Sequence, residues 1–338
     1  MNIVVRMIQK SIQILNKLQT ESGLMRASHA SVKTGYNRAW IRDNVYESLG
    51  FEATKNHKKV IKIYRALLDV LLKHESKIDW AIRQKPDATF KYIHARYDPI
   101  TMNEIWEEWG NKQNDAIGAV LFKIGDLESK GIKIVRNRHD LRILQKLVWY
   151  LESIEYWHDK DNGMWEENEE VHASSVGACV AGLDKISILV DVDKDLIEKG
   201  KNTLKKLLPK ESETKQVDLA LLSLIYPYDI VTEEQKRSIL KNVEERLVRN
   251  KGVIRYKGDK YYNKNGEAEW CFGFPWLATI YRLMHKPDKY AHYMRKSVEV
   301  LNEKNEMPEL YFANSDVYNE NSPLGWGQAM LLVAKMGE

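Results

Sequence analysis

The stretch DNGMWEEN, residues 161–168, carries the pattern from which the fold of this chain is predicted. Its Asn-Gly pair favours a tight turn, so the stretch is a loop. One tryptophan, Trp165, is followed directly by two carboxylates, Glu166 and Glu167, and a helical pattern of apolar residues resumes at about His172. A loop with a tryptophan just before a helix recurs along the sequence, and this recurrence indicates the architecture.

Helical periodicity runs through almost all of the 338 residues, and few stretches alternate as strands do. We predict helical segments at about residues 3–19, 42–54, 57–75, 112–129, 138–156, 172–189, 193–208, 216–226, 232–249, 271–285, 288–304 and 323–336. Connections after even-numbered segments are short, as at residues 54–57, and most after odd-numbered segments are long, as at residues 78–111. This alternation predicts an all-α fold: helical hairpins closed into a double ring, with even-numbered helices inside and the long loops at one end. We expect a single domain over residues 1–338.

The tryptophans are placed unevenly along these segments. The chain contains ten Trp and seventeen Tyr but only six Phe. Trp and Tyr join an apolar face to a polar group, which suits stacking on a sugar ring whose hydroxyls need partners. Those at or near the starts of even-numbered segments are Trp40, Trp109, Trp165, Trp270, Trp276 and Trp326. Trp149 instead has the position of a mid-helix core residue. The gathering of the other tryptophans at one rim of the predicted ring favours a binding pocket over simple packing.

Glu166 is the candidate acid of this pocket. A carboxyl group beside a large apolar ring loses solvation, and a neighbouring like charge such as Glu167 also favours the protonated form. A carboxylic acid that stays protonated near neutral pH is what protonation of a leaving-group oxygen requires. The alternative is a solvated acidic loop, because clustered glutamates usually face water.

Two neighbours in the segment WIRD, residues 40–43, supply groups that fit vicinal hydroxyls. Arg42 offers a planar set of donors and Asp43 offers acceptors. The alternative is that Asp43 caps the following helix while Arg42 lies at the surface.

Three further segments precede predicted inner helices. Trp109 begins WGNKQND, residues 109–115, whose alternative interpretation is a glycine turn with a capping cluster. Arg255 begins RYKGDKYYN, residues 255–263, which is also typical of a surface hairpin. Glu309 follows a proline, so a helix-capping role is not expected, and its alternative is a surface glutamate.

Composition excludes several classes of function. Lys+Arg 52 nearly balances Asp+Glu 48, and no basic block is interleaved with aromatic residues, so we expect no nucleic-acid partner. No run approaches the roughly 20 apolar residues of a membrane span. The sequence has no glycine-rich phosphate loop and no His-rich ligand spacing, so we expect no cofactor and no metal. Cys179 and Cys271 fall in apolar helical patterns, which indicates core thiols and a cytoplasmic setting.

Taken in order, these motifs resemble those of glycoside hydrolase family 15, the glucoamylase-like enzymes with an (α/α)6 barrel. Residues 40–43 are similar to the family's Trp-x-Arg-Asp, and residues 109–115 to its Trp-Gly-x-x-Gln-x-Asp. Residues 165–167 are similar to the Trp-Glu-Glu that holds the general acid. HASS at residues 172–175 and PELY at residues 308–311 look more like the glucoamylase-like domain of phosphorylase kinase regulatory subunits.

The resemblance implies an inverting exo-acting α-glucosidase that acts on an oligosaccharide or disaccharide of glucose. Glu166 matches the general acid, and Glu309 lies where the family keeps the water-activating base, with Glu306 as the fallback. The residues that match the sugar-binding set are Trp40, Arg42, Asp43, Trp109, Trp165, Glu167 and Arg255. Inversion requires the two carboxyl groups to be roughly 6.5–9.5 Å apart. The alternatives are a catalytically silent glucan-binding or regulatory domain, and a trehalase of the same family.

The two roles require different environments for the two carboxyl groups. A base must stay ionised while the acid stays protonated. We therefore expect Glu166 to be the more desolvated group. We expect Glu309 to face the cavity with hydroxyl or cationic partners such as Tyr311 and Arg42.

Overall fold

The computed structural model describes residues 3–107 and 109–337. Within these residues the helices are α1 (Ile3–Leu18), α2 (Ile41–Ala53), α3 (His57–Lys73), α4 (Glu75–Arg83), α5 (Asn114–Ser129), α6 (Arg138–Ser153), α7 (Ala173–Ile186), α8 (Lys194–Leu207), α9 (Glu233–Arg246), α10 (Gly273–Leu283), α11 (Pro287–Glu299) and α12 (Gly325–Met336). Two 3-10 helices cover Thr89–Lys91 and Leu219–Leu224.

An inner ring closes on itself. It consists of α2, α5, α7, the 3-10 helix Leu219–Leu224, α10 and α12, each packed against the next, with α12 packed against α2. These segments are buried on almost all sides. A helix that is apolar all round has to be buried, whereas a helix with one polar face lies at the surface. The amphipathic helices α1, α3, α6, α8, α9 and α11 accordingly pack around the inner ring. The predicted double ring is confirmed.

Three details of the prediction are wrong. The segment at 216–226 is helical only as a short 3-10 helix, because the backbone at Asp218 and Leu219 pairs with residues 255–256 and not with a preceding turn. Helix α4 begins at Glu75 and extends into the predicted long loop of residues 78–111, where its packing on α6 stabilises it. Trp149 is 46% exposed on α6 and is not a core residue.

The backbones of α5 and α7 approach each other closely in the inner ring. A Cβ added to Gly118 would lie 2.5 Å from the backbone nitrogen of Cys179, so only glycine allows this packing. Cys179 and Cys271 are both buried and unpaired, as predicted for core thiols.

Two short antiparallel sheets fix the loops at the mouth of the barrel. Strand β1 (Ala39–Trp40) pairs with β2 (Arg96–Tyr97), with Trp40 opposite Arg96. Strand β3 (Glu269–Trp270) pairs with β4 (Leu310–Tyr311). Each sheet joins the residues just before an inner helix to a distant loop, so the motif segments meet at one end of the ring.

Candidate active site

A cavity of about 250 Å³ opens at the end of the ring where the inner helices begin. The predicted site residues that line it are Trp40, Arg42, Asp43, Trp109, Trp165, Glu166, Glu167 and Arg255. Tyr36, Tyr261 and Trp270 complete much of the wall. Segments that are far apart in sequence therefore converge on one small space.

The loop of residues 161–168 is held rigidly at this cavity. Asp161 and Glu170 exchange backbone hydrogen bonds of 2.9 and 3.0 Å, which close the loop at its base. The Asn162 side-chain amide donates to the Glu167 carbonyl oxygen at 2.6 Å, and its oxygen accepts from the Lys112 N–H at 3.0 Å. The loop thereby joins the segment that follows Trp109.

Glu166 has a strained backbone, with φ of +64°. This left-handed region is uncommon for a residue other than glycine, and such strain is concentrated at functional sites. Gly110 packs directly against it: a Cβ there would lie 2.7 Å from the Glu166 carbonyl carbon. The glycine of the predicted Trp-Gly motif is thus needed for the approach of the two loops.

The Glu166 side chain is 20% exposed and accepts a hydrogen bond of 3.0 Å from Arg42 Nη2 on Oε1. Burial raises the pKa of Glu166, while Arg42, Arg96 and the indole N–H groups of Trp40 and Trp109 oppose that rise. The net direction is upward. A carboxyl group at the edge of a cavity with a raised pKa suits proton donation.

Arg42 is fixed by partners below the cavity floor. Its Nη1 donates to Gln113 Oε1 at 2.8 Å and to Asp115 Oδ2 at 3.2 Å. Both partners lie at the start of α5, in the motif that follows Trp109. A buried guanidinium held on three sides has one orientation, and it holds Glu166 in one position.

Asp43 lies in the electrostatic field of both predicted catalytic carboxyl groups. Burial raises the pKa of Asp43 to about 7; Arg42 opposes the shift, whereas Glu166 and Glu309 add to it. Asp43 lines the cavity, so its carboxyl group borders the same space as that of Glu166.

Glu167 and Arg255 form the second polar wall. Arg255 Nη2 donates to Glu167 Oε1 at 2.8 Å and to Asp259 Oδ1 at 2.6 Å. Lys215 and the Tyr256 hydroxyl both donate to Glu167 Oε2, at 2.9 and 2.5 Å. Burial raises the pKa of Glu167, but these cations and hydrogen bonds outweigh it and the pKa lies below its ordinary value. The two adjacent glutamates therefore have pKa values shifted in opposite directions.

The indole N–H of Trp165 fixes one aromatic wall of the cavity. The Trp165 N–H donates to Asp218 Oδ1 at 2.7 Å, and the Trp165 and Trp270 rings lie 5.6 Å apart. Across the cavity, the Trp40 ring lies 6.1 Å from that of Trp109 at an interplanar angle of 80°. The walls are thus fixed surfaces suited to a flat, hydroxylated ligand.

Glu309 lies behind the wall, not in it. Its exposure is 0%, and Tyr36 donates a hydrogen bond to its Oε1. The other carboxylate oxygen accepts from the side-chain amides of Asn319 and Asn321, the latter at 2.8 Å. The Tyr261 hydroxyl is 3.4 Å from both oxygens. Since Tyr36 and Tyr261 line the cavity, Glu309 is separated from it by two phenol groups.

These contacts correct the predicted surroundings of Glu309. The Tyr311 hydroxyl donates to the Val300 carbonyl oxygen at 3.3 Å and is not a partner, and the carboxylates that bind Arg42 are Asp115 and Glu166. The expected order of desolvation is also wrong, because Glu309 is the more buried of the two carboxyl groups.

The pKa of Glu309 is likewise not kept at an ordinary value. Burial raises it, and the hydrogen bonds from Tyr36, Asn321 and Asn319 only oppose that rise. The fallback residue, Glu306, pairs with Lys10 of α1 at 3.3 Å and does not line the cavity.

The comparisons with known proteins extend over almost the whole chain. The sequence profile described as Glycosyl hydrolases family 15 matches residues 1–336. The chain belongs to this family. The family predicted from the motifs is confirmed.

Curated relatives of this family 15 chain are much longer proteins. The Phosphorylase b kinase regulatory subunit alpha, liver isoform, of Mus musculus is 27% identical over 297 residues, covering 76% of this chain and 23% of that protein. The skeletal muscle isoform of Oryctolagus cuniculus is 24% identical over 416 residues, covering 98% of this chain and 32% of that protein. The family 15 chain therefore spans less than one third of the length of these relatives.

Solved structures share the fold of the family 15 chain. A wild-type glycosidase has a TM-score of 0.83 at 18% identity and covers 98% of this chain and 95% of its own. A bacterial glucoamylase complexed with acarbose has a TM-score of 0.73 at 17% identity, covering 97% of this chain and 54% of its own. Glucoamylase from Saccharomycopsis fibuligera has a TM-score of 0.71 at 13% identity, covering 98% and 94%. The predicted (α/α)6 fold class is confirmed.

Two global properties of the family 15 chain concern membranes and metals. Within residues 3–107 and 109–337, no helix combines the length and the apolar character needed to cross a bilayer. The same described residues contain no group of three or more His, Cys, Asp or Glu side chains arranged to hold a metal ion.

Four side chains around Glu309 are not predicted by the sequence motifs. Tyr36 stands four residues before Trp40, and Tyr261 belongs to the quoted segment 255–263, yet neither was assigned to the site. The remaining two are Asn319 and Asn321. A polar residue in a long connection is too common a feature to single out, and Tyr36 is 273 positions from Glu309.

Proposed function

We propose that this chain is a single catalytic-type domain with the activity of an inverting, exo-acting α-glucosidase of the glucoamylase type. The observation that carries the proposal is the position of Glu166. Its carboxyl group is held by Arg42 at the edge of a cavity the size of one sugar ring, with its pKa raised by burial. This is the state in which a glutamic acid protonates a leaving oxygen.

In the proposed reaction, Glu166 gives its proton to the glycosidic oxygen and Arg42 stabilises the resulting carboxylate. Glu309 receives a proton from the attacking water through the Tyr36 hydroxyl. Tyr36 takes the water proton on its oxygen and passes its own phenolic proton to Glu309 Oε1, so that charge and protons balance. Burial, Glu309 and Tyr261 raise the pKa of Tyr36 well above its ordinary value, so this phenol stays neutral between transfers.

The other cavity residues bind the sugar in this proposal. Asp43 and Arg42 contact vicinal hydroxyls on one side, and the pair of Glu167 and Arg255 contacts hydroxyls on the other. The rings of Trp40, Trp109 and Trp165 cover the apolar faces. The ligand is an oligosaccharide or disaccharide of glucose. We place the protein in the cytoplasm, since its two cysteines are buried, unpaired thiols.

A second candidate is a glucan-binding domain that performs no catalysis. Two observations favour it: the curated relatives are named as regulatory subunits of a kinase, and Glu309 has no exposed surface. In this alternative the cavity binds a glucose unit, and the two phenols that cover Glu309 keep water away from it.

Detection of released glucose separates the two candidates. The protein is incubated with maltose, isomaltose, trehalose and soluble starch, and glucose is quantified by ion-exchange chromatography. We expect release from at least one substrate. The Glu166→Gln variant should lose about 10²–10⁴-fold of the rate. Glu213→Gln, a substitution of an exposed glutamate, serves as the control and should retain the activity.

Two results would contradict the proposal, the first in its activity and the second in its acid. Wild-type protein that binds maltose in calorimetry but releases no glucose from any substrate is a binding domain. Equal glucose release by wild type and Glu166→Gln would remove Glu166 from the role of acid.

A further inference from the structure

The acid loop, residues 161–170, is held from the outside by one segment, residues 211–218. Three hydrogen bonds join the two: the Thr214 N–H donates to Glu170 Oε2 at 3.1 Å, Lys215 Nζ donates to Glu167 Oε2 at 2.9 Å, and the Trp165 indole N–H donates to Asp218 Oδ1 at 2.7 Å. Glu166 takes part in none of these contacts, and its carboxyl group accepts from Arg42. The position of Glu166 therefore depends on the path of the loop backbone on either side of it.

The ring of His172 fills the inside of the acid loop. His172 is 2% exposed and stands directly before α7. Gly163 has a φ of +63°, and a Cβ there would lie 2.8 Å from His172 Cδ2, so the ring packs tightly on this turn. At the other end of the loop, His172 Nε2 lies 3.4 Å from the Asn168 carbonyl oxygen. The ring thus contacts the loop backbone on both sides of Glu166.

Both nitrogens of the His172 ring face acceptors. Nδ1 lies 3.5 Å from Oε1 of Glu211, a buried carboxylate, and Nε2 faces the loop carbonyl. An imidazole ring with an acceptor at each nitrogen is satisfied when both nitrogens carry hydrogen. Burial lowers the pKa of His172, but Glu211 and Asp161 raise it to about 9, so the ring is charged near neutral pH. The charged groups that surround it are Asp161 and Glu170 of the acid loop, and Glu211 and Lys215 of the adjoining segment.

We propose that His172 is a positioning residue for Glu166: its ring keeps the acid loop closed, so that the Glu166 carboxyl group stays at the edge of the cavity beside Arg42. His172 does not line the cavity, so it acts on Glu166 only through the loop. His172 is also the first residue of the HASS stretch, to which the proposed reaction gives no role. This inference rests on the proposed function, which makes Glu166 the acid.

His172→Ala should lower kcat and shift the pH profile. The substitution leaves a space inside the loop, into which the backbone around Glu166 can move. A misplacement of about 1 Å can cost 10²-fold in rate, and we expect kcat to fall by about that factor. KM should change much less, because Arg42 and Arg255 keep their own partners. The basic limb of kcat/KM should move to lower pH, because Glu166 loses part of the burial that raises its pKa.

His74→Ala is the matched control. His74 also stands directly before a helix, α4, and its Nε2 lies 2.9 Å from the carbonyl oxygen of Met102 in a loop. His74→Ala should lower the melting temperature but leave kcat per folded molecule and the basic limb at their wild-type values. If His172→Ala does not fold, His172→Gln is measured in its place, because its amide fills part of the space and can donate to the Asn168 carbonyl oxygen. Its losses should have the same pattern and be smaller.

Limited proteolysis measures closure of the loop without any substrate. A glutamate-specific protease can cut the loop once it opens, and mass spectrometry identifies the cuts at Glu166, Glu167, Glu169 and Glu170. We expect cleavage at these sites to be roughly tenfold faster in His172→Ala than in the wild type, the order of one lost buried polar contact. His74→Ala should be cut in the loop at the wild-type rate.

The two experiments distinguish the possible failures. If the wild type releases glucose and His172→Ala has an unchanged basic limb, with activity reduced only in proportion to the folded protein, the positioning role is overturned and the proposed function stands. If the wild type releases no glucose but the loop of His172→Ala is cut faster, the hydrolase is overturned and His172 still holds the loop. Failure of both His172 variants to fold would make His172 a residue of general stability and would also overturn the positioning role.

Discussion

Tyr36 donates its phenolic hydrogen to Oε1 of Glu309, and the same tyrosine lines the cavity that Glu309 does not reach. The carboxylate therefore contacts the cavity only through its partners. Asn319 and Asn321 hold its other oxygen from behind. A base in this position is oriented by four side chains, of which Tyr36 and Tyr261 line the cavity.

Tyr36→Phe should test whether the Tyr36 hydroxyl relays a proton to Glu309. The ring volume is kept, but the hydroxyl that relays the proton is lost. We expect kcat to fall about 10²-fold or more, since general-base catalysis typically contributes about 10²–10⁴-fold. Steady-state kinetics on the best substrate measures it. Tyr290→Phe, on the outer helix α11, is the matched control. A kcat for Tyr36→Phe equal to that of the control would contradict the relay.

The pH dependence of kcat/KM should be bell-shaped, with both limbs above the ordinary glutamate pKa of about 4.3. Burial raises the pKa of both Glu166 and Glu309. Glu309 must be ionised, so activity is lost as the pH falls through its raised pKa. Glu166 must be protonated, so activity is lost as the pH rises through its raised pKa.

The Tyr36→Phe variant identifies the acidic limb of that profile. A hydrogen bond to a carboxylate lowers its pKa, so loss of the Tyr36 hydroxyl should move the acidic limb to higher pH. The basic limb should stay in place, because the largest causes of the pKa shift of Glu166 are burial, the two arginines Arg42 and Arg96, and the indoles of Trp40 and Trp109. An acidic limb below pH 4 in the wild type, or a shift of the basic limb alone in the variant, would contradict these assignments.

Gly110→Ala should displace the acid without touching any catalytic side chain. The new Cβ would lie 2.7 Å from the Glu166 carbonyl carbon, so the loop that carries Glu166 has to move. A misplacement of about 1 Å can cost 10²-fold in rate, and we expect a loss of that order in kcat/KM. Gly118→Ala is the control, since its Cβ would meet the backbone of α7, 2.5 Å from the Cys179 nitrogen.

Both glycine variants should have lower melting temperatures. Comparing their activities at matched amounts of folded protein isolates the effect on the site. Activity per folded molecule should fall much further in Gly110→Ala than in Gly118→Ala. Equal losses, in proportion to the drop in melting temperature, would show that the Trp-Gly turn has no specific relation to Glu166.

The ring and most of the candidate site could be predicted from the sequence because their determinants are local. Arg42 and Asp43 follow Trp40 in the first turn of α2, and Glu166 and Glu167 follow Trp165 in the loop before α7. Periodicity places both inner helices. The 3-10 helix at residues 219–224 could not be predicted, since pairing of residues 218–219 with 255–256 replaces the expected helical turns. Tertiary contact overrides propensity there.

The surroundings of Glu309 could not be predicted from the sequence, for a different reason. Which hydroxyls and amides surround a carboxylate depends on loops that meet only after the ring has closed. Tyr36 comes from the beginning of the chain, whereas Asn319 and Asn321 come from near its end. The exposure of Trp149 could not be predicted either, because a tryptophan on an outer helix has the same local pattern whether it faces the core or water.

The proposed inversion requires Glu166 and Glu309 to act from opposite faces of the sugar. Proton NMR in the first minutes of the reaction, before the anomers equilibrate, measures this directly. Attack of water opposite the departing α-linked group releases β-glucose, and that is the product we predict. Initial release of α-glucose would contradict inversion and remove Glu309 from the role of base, and absence of any released glucose would contradict the assignment as a hydrolase.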